Sequence, residues 1–279
     1  MHYFIYSTAD SWITSGSLYA GVSASNGQQN FGQDEILEIK KEFSDGSLQY
    51  FTRALVTFKG TELTSISASV ADNTITSPTY KLRLYETEGV SDLSTEYTLI
   101  AQPISESWDE GIGKFGDSPV TREGVSWEYR NQYVQNGTSQ SWTTPGCTIV
   151  EESSSIQSFS YESPDVNMDI TDMVNGWFDT SLSQNYGLVI HYSGSQESNN
   201  VTTGQLKFFS RNTNTIYPPK LEVVWDDHVA AQGDATGSLS AIDSSGTTKN
   251  YVYVKGLRDR YKESEKVKFR IGARPSYIP

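Results

Sequence analysis

Hydrophobic and polar positions alternate in short runs along much of the chain, the period-2 pattern of half-buried β-strands. Tyr80-Lys81-Leu82-Arg83-Leu84-Tyr85 puts Tyr80, Leu82 and Leu84 on one face and Lys81 and Arg83 on the other. Val166, Met168 and Ile170 alternate with Asp165, Asn167 and Asp169 in the same way. Tyr50–Phe58 is rich in β-branched and aromatic residues and is closed by Lys59-Gly60, which predicts a strong strand. Further strands are predicted around Phe4–Tyr6, Ile36–Ile39, Ser65–Val70, Tyr97–Ala101, Gly187–Tyr192, Leu206–Ser210 and Leu221–Trp225. Pro218-Pro219 suits the approach to the last of them. The period changes once. Met173/Trp177 and Val174/Phe178 are i, i+4 pairs, which predicts one short amphipathic helix with Asp169 or Thr171 as its N-cap.

Residues 105–150 break the pattern, with Trp108, Trp127 and Trp142 set among Gly, Asp, Ser and Pro. A long irregular stretch inside a compact domain either folds on itself or binds something. The tryptophans are expected to fasten this excursion to the domain body. An exposed indole face can also stack on a sugar ring or a partner, so Trp108, Trp127 and Trp142 are the candidate glycan or partner contacts. Trp177 and Trp225, on regular elements, read as core.

Asp226-Asp227-His228 marks a boundary. Residues 1–227 are expected to form one β domain, and 228–250, with Gly233, Gly237, Ser244, Ser245 and Gly246, read as a linker or hairpin region. Residues 251–279 hold the strands Tyr251–Val254 and Val267–Ile271. Two strands are marginal alone. They are expected to begin a second β domain that continues past Pro279, or to pack on the sandwich or a partner.

Charge narrows the partners. A net charge of −13 repels nucleic-acid backbones and acidic membrane surfaces. The tail reverses the sign locally: Lys255, Arg258, Arg260, Lys262, Lys268 and Arg270 make it a candidate docking segment for a neighbouring subunit. The 17 tyrosines suit polar, aromatic interfaces. Cys147 is the single cysteine, so no intrachain disulfide forms, and it reads as a small buried hydrophobe. Met1-His2-Tyr3-Phe4-Ile5-Tyr6 lacks the basic and apolar regions of a signal peptide, and no apolar run reaches membrane-spanning length. The product is expected to be made in a cytoplasm and, if released, released within a virus particle.

The chemical motifs are weak. Gly111-Ile112-Gly113-Lys114-Phe115-Gly116 spells GxGxxG, but Asp117-Ser118-Pro119 blocks the helix that phosphate binding needs. Asp165-x-Asn167-x-Asp169 opens like a calcium loop and fails at Ile170 and Gly176. No cofactor is expected. A structural calcium is the one ion the acidic loops allow, with Asp109, Glu110, Asp117 and Glu123 as candidate ligands. Glu106, Asp109 and Glu110 flank Trp108 as a glycosidase pair could, but acidic surfaces bring carboxylates together often, and a non-catalytic protein is expected. His2, His191 and His228 are too scattered for a metal cluster, and His191 reads as a hydrogen-bonded residue at the core edge. No GxSxG, HExxH, CxxC or Walker sequence is present.

Several segments together resemble the DNRLRE (disaggregatase-related) module. They are Phe51–Phe58, Tyr80–Tyr85, Ser105-Glu106-Ser107-Trp108-Asp109-Glu110-Gly111, Gly124-Val125-Ser126-Trp127, Asp169–Trp177, Asn185-Tyr186-Gly187-Leu188, Phe209-Ser210-Arg211 and Pro218–Val223. The resemblance covers residues 1–227 and departs at Cys147, where the module tends to have a second glycine. It implies an all-β, jelly-roll-like β-sandwich akin to carbohydrate-binding modules, with one short helix and no catalytic role. The tail from Asn250 to Arg274 is similar to a segment in structural proteins of large tailed phages. That similarity implies a virion component of the tail, baseplate, neck or capsid surface, present in many copies and contacting other virion proteins. Contact with host glycans is the alternative it leaves open.

Overall fold

The computed structural model describes residues 1–16, 27–44, 48–89, 96–133, 137–160, 165–179, 181–182, 184–226, 250–255, 260 and 270–275. The chain divides into two compact units, Met1–Asp227 and His228–Pro279. In chain order the strands of the first unit are β1 (His2–Tyr6), β2 (Ala9–Thr14), β3 (Ile36–Ser44), β4 (Leu48–Thr57), β5 (Thr79–Leu84), β6 (Glu86–Gly89) and β7 (Glu96–Pro103). They continue with β8 (Tyr129–Asn131), β9 (Gln140–Ser141), β10 (Ser155–Ser160), β11 (Val166–Asp169), β12 (Leu188–Tyr192), β13 (Gly204–Phe209) and β14 (Lys220–Val224). Three helices lie among them: α1 (Thr61–Ala71), α2 (Thr171–Phe178) and α3 (Gly194–Ser198).

The first unit is an all-β, sandwich-like fold. A four-stranded sheet has the order β1-β14-β5-β11. An eight-stranded, curled sheet has the order β10-β7-β12-β4-β3-β13-β6, with β2 also paired to β4. Among the described residues every named pairing is antiparallel, and the chain crosses between the sheets repeatedly.

The alternation read from the sequence sets the core. Tyr80, Leu82 and Leu84 of β5, Val166 and Met168 of β11, Leu221 and Val223 of β14 and Ile5 of β1 point inward from the smaller sheet. Ala54, Val56, Leu99, Ala101, Leu188, Ile190, Leu206 and Phe208 meet them from the larger one. Each fully buried Leu or Phe contributes about 2 kcal/mol of transfer free energy. Helix α2 falls on Thr171–Phe178 and buries Met173, Val174 and Trp177. Its N-cap is Ile170 rather than Asp169 or Thr171, yet Asp169 Oδ1 accepts the Thr171 N–H at 3.0 Å and so satisfies one free donor at the helix start.

One predicted strand is wrong. Ser65–Val70 lies inside α1, so the chain has more than the one helix expected. Ile66, Ala68 and Val70 do alternate, but Leu63, Ile66 and Val70 also fall at helical spacing. Leu63 and Ile66 bury that stripe and Val70 packs partly against it. In the tail, β15 (Asn250–Lys255) pairs with β16 (Arg270–Pro275). β16 overlaps the expected Val267–Ile271 at Arg270 and Ile271 and continues to Pro275, and residues 267–269 fall outside the described residues. Among the described residues no helix is long and apolar enough to cross a membrane.

Candidate functional site

The 105–150 excursion forms a layer of its own on the outer face of the eight-stranded sheet. In β4, Ala54 and Val56 face the sandwich core while Leu55 faces away. Leu55 joins Ile13 of β2, Val189 of β12, Ile104, Val125, Trp142 and Cys147 in a second apolar cluster. These central strands are buried on both faces. That is why Ala54-Leu55-Val56 and Leu188-Val189-Ile190 read as continuous apolar runs.

The three candidate tryptophans belong to this layer. Trp142 is 4% exposed and donates its indole N–H to Ser126 O at 2.9 Å, so it is closed to a glycan or a partner. That corrects its reading as a contact residue: the second cluster needs its bulk. Trp108 is half-buried and donates to Tyr186 O at 2.8 Å. Trp127 is half-buried, stacks on Phe51 at 6.1 Å and carries the Arg53 guanidinium 5.1 Å from its ring centroid. Arg53 also grips Glu197 through two hydrogen bonds of 2.9 and 2.7 Å and donates to Gly146 O at 2.7 Å. Beside it, Cys147 holds a positive φ of 90°, a backbone shape that favours glycine. Burial pushes the Cys147 thiol up, away from the thiolate that nucleophilic chemistry needs.

A buried polar hub ties the excursion to the N-terminal strands. Asn30 is fully buried and donates to Glu110 O and Val125 O, both at 2.8 Å. Its Oδ1 accepts the N–H groups of Gly32 at 3.1 Å and Gly113 at 2.7 Å. A Cβ on Gly111 would sit 2.5 Å from Asn30 Oδ1, and one on Gly113 would sit 2.3 Å from Asn30 O. Gly111 and Gly113 of the GxGxxG run therefore let the loop close around an asparagine, while Gly116 stands in open space; this is packing, not phosphate recognition.

The acidic candidates are also engaged. Glu106 accepts from Thr143 N (3.0 Å), Thr143 Oγ1 (2.8 Å) and Thr148 Oγ1 (2.5 Å). Burial opposes its ionisation, but these bonds and nearby Arg130 outweigh burial and hold it below the ordinary carboxylate range. Glu110 pairs with Arg211 at 3.0 Å and accepts the Asp10 N–H at 3.0 Å. Asp10 is 1% exposed, and burial pushes it up to about 7. Its Oδ2 accepts the Arg211 N–H at 2.8 Å, while Oδ1 has no hydrogen-bond partner among the described residues. Asp117 Oδ2 caps its own turn at Lys114 N (2.8 Å), and Asp109 Oδ1 accepts from Gly111 N at 3.4 Å. Asp109, Glu110, Asp117 and Glu123 do not gather into a calcium site: among the described residues no three His, Cys, Asp or Glu side chains converge on a metal position.

His191 is buried on β12, with Nδ1 2.7 Å from Tyr192 O and Nε2 3.0 Å from Gln102 Oε1. Burial lowers it to about 4. In the second unit, Lys255 and Arg270 stand opposite each other in the β15–β16 register, and Arg260 is exposed. Arg258, Lys262 and Lys268 lie outside the described residues.

Asn30, Asp10, Arg53, Arg211 and Lys41 were not singled out from the sequence. Lys41 is fully buried on β3, and its ammonium donates to Gln196 O (2.9 Å), Asn199 Oδ1 (2.8 Å) and Asn199 O. A signal existed for Asp10: a carboxylate directly before Ser11-Trp12-Ile13 costs free energy unless a partner waits for it. No protein-family model matches the chain, and no curated protein matches it.

Proposed function

We propose that the chain is a non-catalytic scaffold and contact module of a tailed-phage virion, a component of the tail, baseplate, neck or capsid surface. The observation that carries the non-catalytic part is the use made of its acids. Glu106 and Glu110 spend their oxygens on hydrogen bonds from Thr143, Thr148, Arg211 and the Asp10 backbone, which tie the excursion together. Bracing of this kind suits a rigid spacer that keeps its shape under load. The virion assignment is supported by the resemblance of the Asn250–Arg274 segment to phage structural proteins. The basic residues of that segment would contact other virion proteins, in a multi-copy assembly.

The test is mass spectrometry and cryo-electron microscopy of purified particles. The expected result is density for a two-sheet sandwich at defined, repeated positions. Particles that lack the chain altogether would remove the virion reading. Turnover of any polysaccharide that is lost in Glu106→Gln or Glu110→Gln would remove the non-catalytic one.

A further inference from the structure

The two edges of the four-stranded sheet are finished differently. Strand β11 forms one edge, and the Ile170 N–H just beyond it bonds Tyr80 O at 2.8 Å, so its even-numbered residues face β5. The odd-numbered ones face outward, and side chains of β10 seal them. Gln157 donates to Asp165 O at 3.2 Å and accepts the Asn167 N–H at 2.7 Å, and Ser155 Oγ donates to Asp169 O at 2.6 Å. Strand β1 forms the other edge and pairs only with β14 among the described residues. There the Trp225 N–H bonds Met1 O at 3.1 Å and the Ser7 N–H bonds Pro219 O at 3.0 Å, so the odd-numbered residues face β14. The N–H and C=O groups of His2, Phe4 and Tyr6 therefore point out of the sheet, without a hydrogen-bond partner among the described residues.

Open edges are normally guarded by a lysine, a proline or a bulge. β1 has none of these: its register with β14 runs unbroken, and its sequence is His2-Tyr3-Phe4-Ile5-Tyr6. Ile5 turns into the core, so Phe4 and Tyr6 turn outward, 41% and 52% exposed. The Lys220 ammonium steadies them, 5.2 Å from the Phe4 ring centroid, 5.9 Å from Tyr6 and 4.8 Å from Tyr85. Ordered, exposed rings beside an unpaired backbone form a template for one more strand.

The template is complementary to itself. An antiparallel strand related by a two-fold axis through Phe4 sets Phe4 against Phe4 and His2 against Tyr6. All three facing pairs fall on residues whose backbone groups are open, so each pair exchanges two hydrogen bonds. An axis between Phe4 and Ile5 would instead face open residues with residues already bonded to β14. No like charges meet across the Phe4-centred seam, and its aromatic cross-strand pairs add to the backbone bonds. Repulsion from the net charge of −13 is screened beyond roughly 10 Å in 0.1 M salt.

We propose that β1 is a self-association edge: two copies of this chain pair antiparallel through His2–Tyr6 about a two-fold axis at Phe4, joining their four-stranded sheets into one. A seam of 5 residues a side is short. It buries less than the roughly 1,600 Å² of a standard interface, so the dimer is weak, with a Kd on the order of 0.1 mM. The proposal goes beyond the scaffold reading and does not rest on it. A monomeric chain in solution would leave the virion assignment standing, and particles lacking the chain would leave this pairing standing.

Sedimentation velocity of the full chain, with no residues added before Met1, tests it from about 10 μM to about 1 mM, a span centred on that constant. The expected result is a shift from monomer to dimer and no larger species, because each copy has one such edge. Phe4→Lys and Phe4→Glu each place like charges on the axis and should weaken the dimer about tenfold. An equal mixture of the two variants should recover it, because lysine then faces glutamate. Phe4→Pro removes an N–H that bonds nothing in β14, so it should weaken the dimer while the melting temperature holds. If the charged variants melt early, Phe4→Pro carries the test. A chain that stays monomeric throughout overturns the proposal. So does a dimer that Phe4→Pro and Phe4→Lys leave intact, which would place the contact on another surface. Failure of the mixed charged variants to recover the dimer, with both folded, overturns the two-fold axis at Phe4 and the proposal with it.

Discussion

The two faces of the eight-stranded sheet are held by different physics. Toward the smaller sheet lies a broad aliphatic and aromatic interior in which Leu82, Leu206, Phe208 and Ile190 are fully buried. Toward the 105–150 excursion the apolar cluster is small, seven residues from Ile13 to Val189, and directed bonds from Asn30, Arg53 and Glu106 complete it. Non-directional burial tolerates small shifts, whereas a buried hydrogen-bond hub fails in one step when a partner is lost. The inner interior is thus expected to set global stability, and the outer layer to open locally.

Leu82→Ala probes the inner side. Its cavity should cost about 3 kcal/mol and lower the melting temperature of the first unit by roughly 10 °C in calorimetry. A drop under about 2 °C would place the main stabilisation on the other face.

Asn30→Ala probes the outer side by leaving two carbonyls and two N–H groups without their partner. The cost should be about 2–3 kcal/mol, confined to the excursion. Cys147, the single cysteine, reports it: thiol labelling should accelerate while amide exchange in β5 and β14 stays slow. Protection lost evenly across both sheets would break the distinction between the faces.

Arg53→Lys sharpens it further. A lysine cannot reproduce the two-pronged grip on Glu197 together with the bond to Gly146. The expected loss is about 1–2 kcal/mol by denaturant titration, again with faster Cys147 labelling. Equal stability would mean that charge alone holds the clasp.

The smallest change is in pH dependence, because two buried groups oppose each other. Burial raises Asp10 from 3.8 to about 7, so between those values the folded chain holds a proton that the unfolded chain lacks. Stability therefore falls as pH rises through that window. Burial lowers His191 from 6.5 to about 4, so there the unfolded chain takes up a proton that the folded chain refuses. Stability therefore rises with pH over nearly the same range. These two contributions should largely cancel between pH 4 and 6.5, leaving a shallow fall with pH from Glu38 and Glu110, which burial also raises. Asp10→Asn should tilt the curve upward with pH and His191→Gln should tilt it downward. Two variants with the same slope would refute the assignment.

Much of the inner face was legible in the sequence, and for a local reason. In β5 and β11 the side-chain period of two writes burial directly into residue order, and in α2 the i, i+4 pairs do the same. Helix α1 was not legible, because Ile66 and Val70 satisfy both periods and only the contact of Leu63 with the interior separates them. The tryptophans were legible as fasteners, but the asparagine that the glycine loop closes around was not: Asn30 lies 80 residues before Glu110 and 95 before Val125.

Residue order alone carried the β class, the strand faces, the helix over Thr171–Phe178 and the acidic character of the chain. These rest on neighbours within a few positions, whose spacing fixes which side chains share a face. Packing in three dimensions settled the rest: which carboxylates are braces, which tryptophan is closed, and which aromatic rings gather around Lys220. Those outcomes depend on partners separated along the chain, from 16 residues for Trp142 and Ser126 and 42 for Glu106 and Thr148 to 101 for Glu110 and Arg211. Burial and bond geometry arise there only once the sheets are paired.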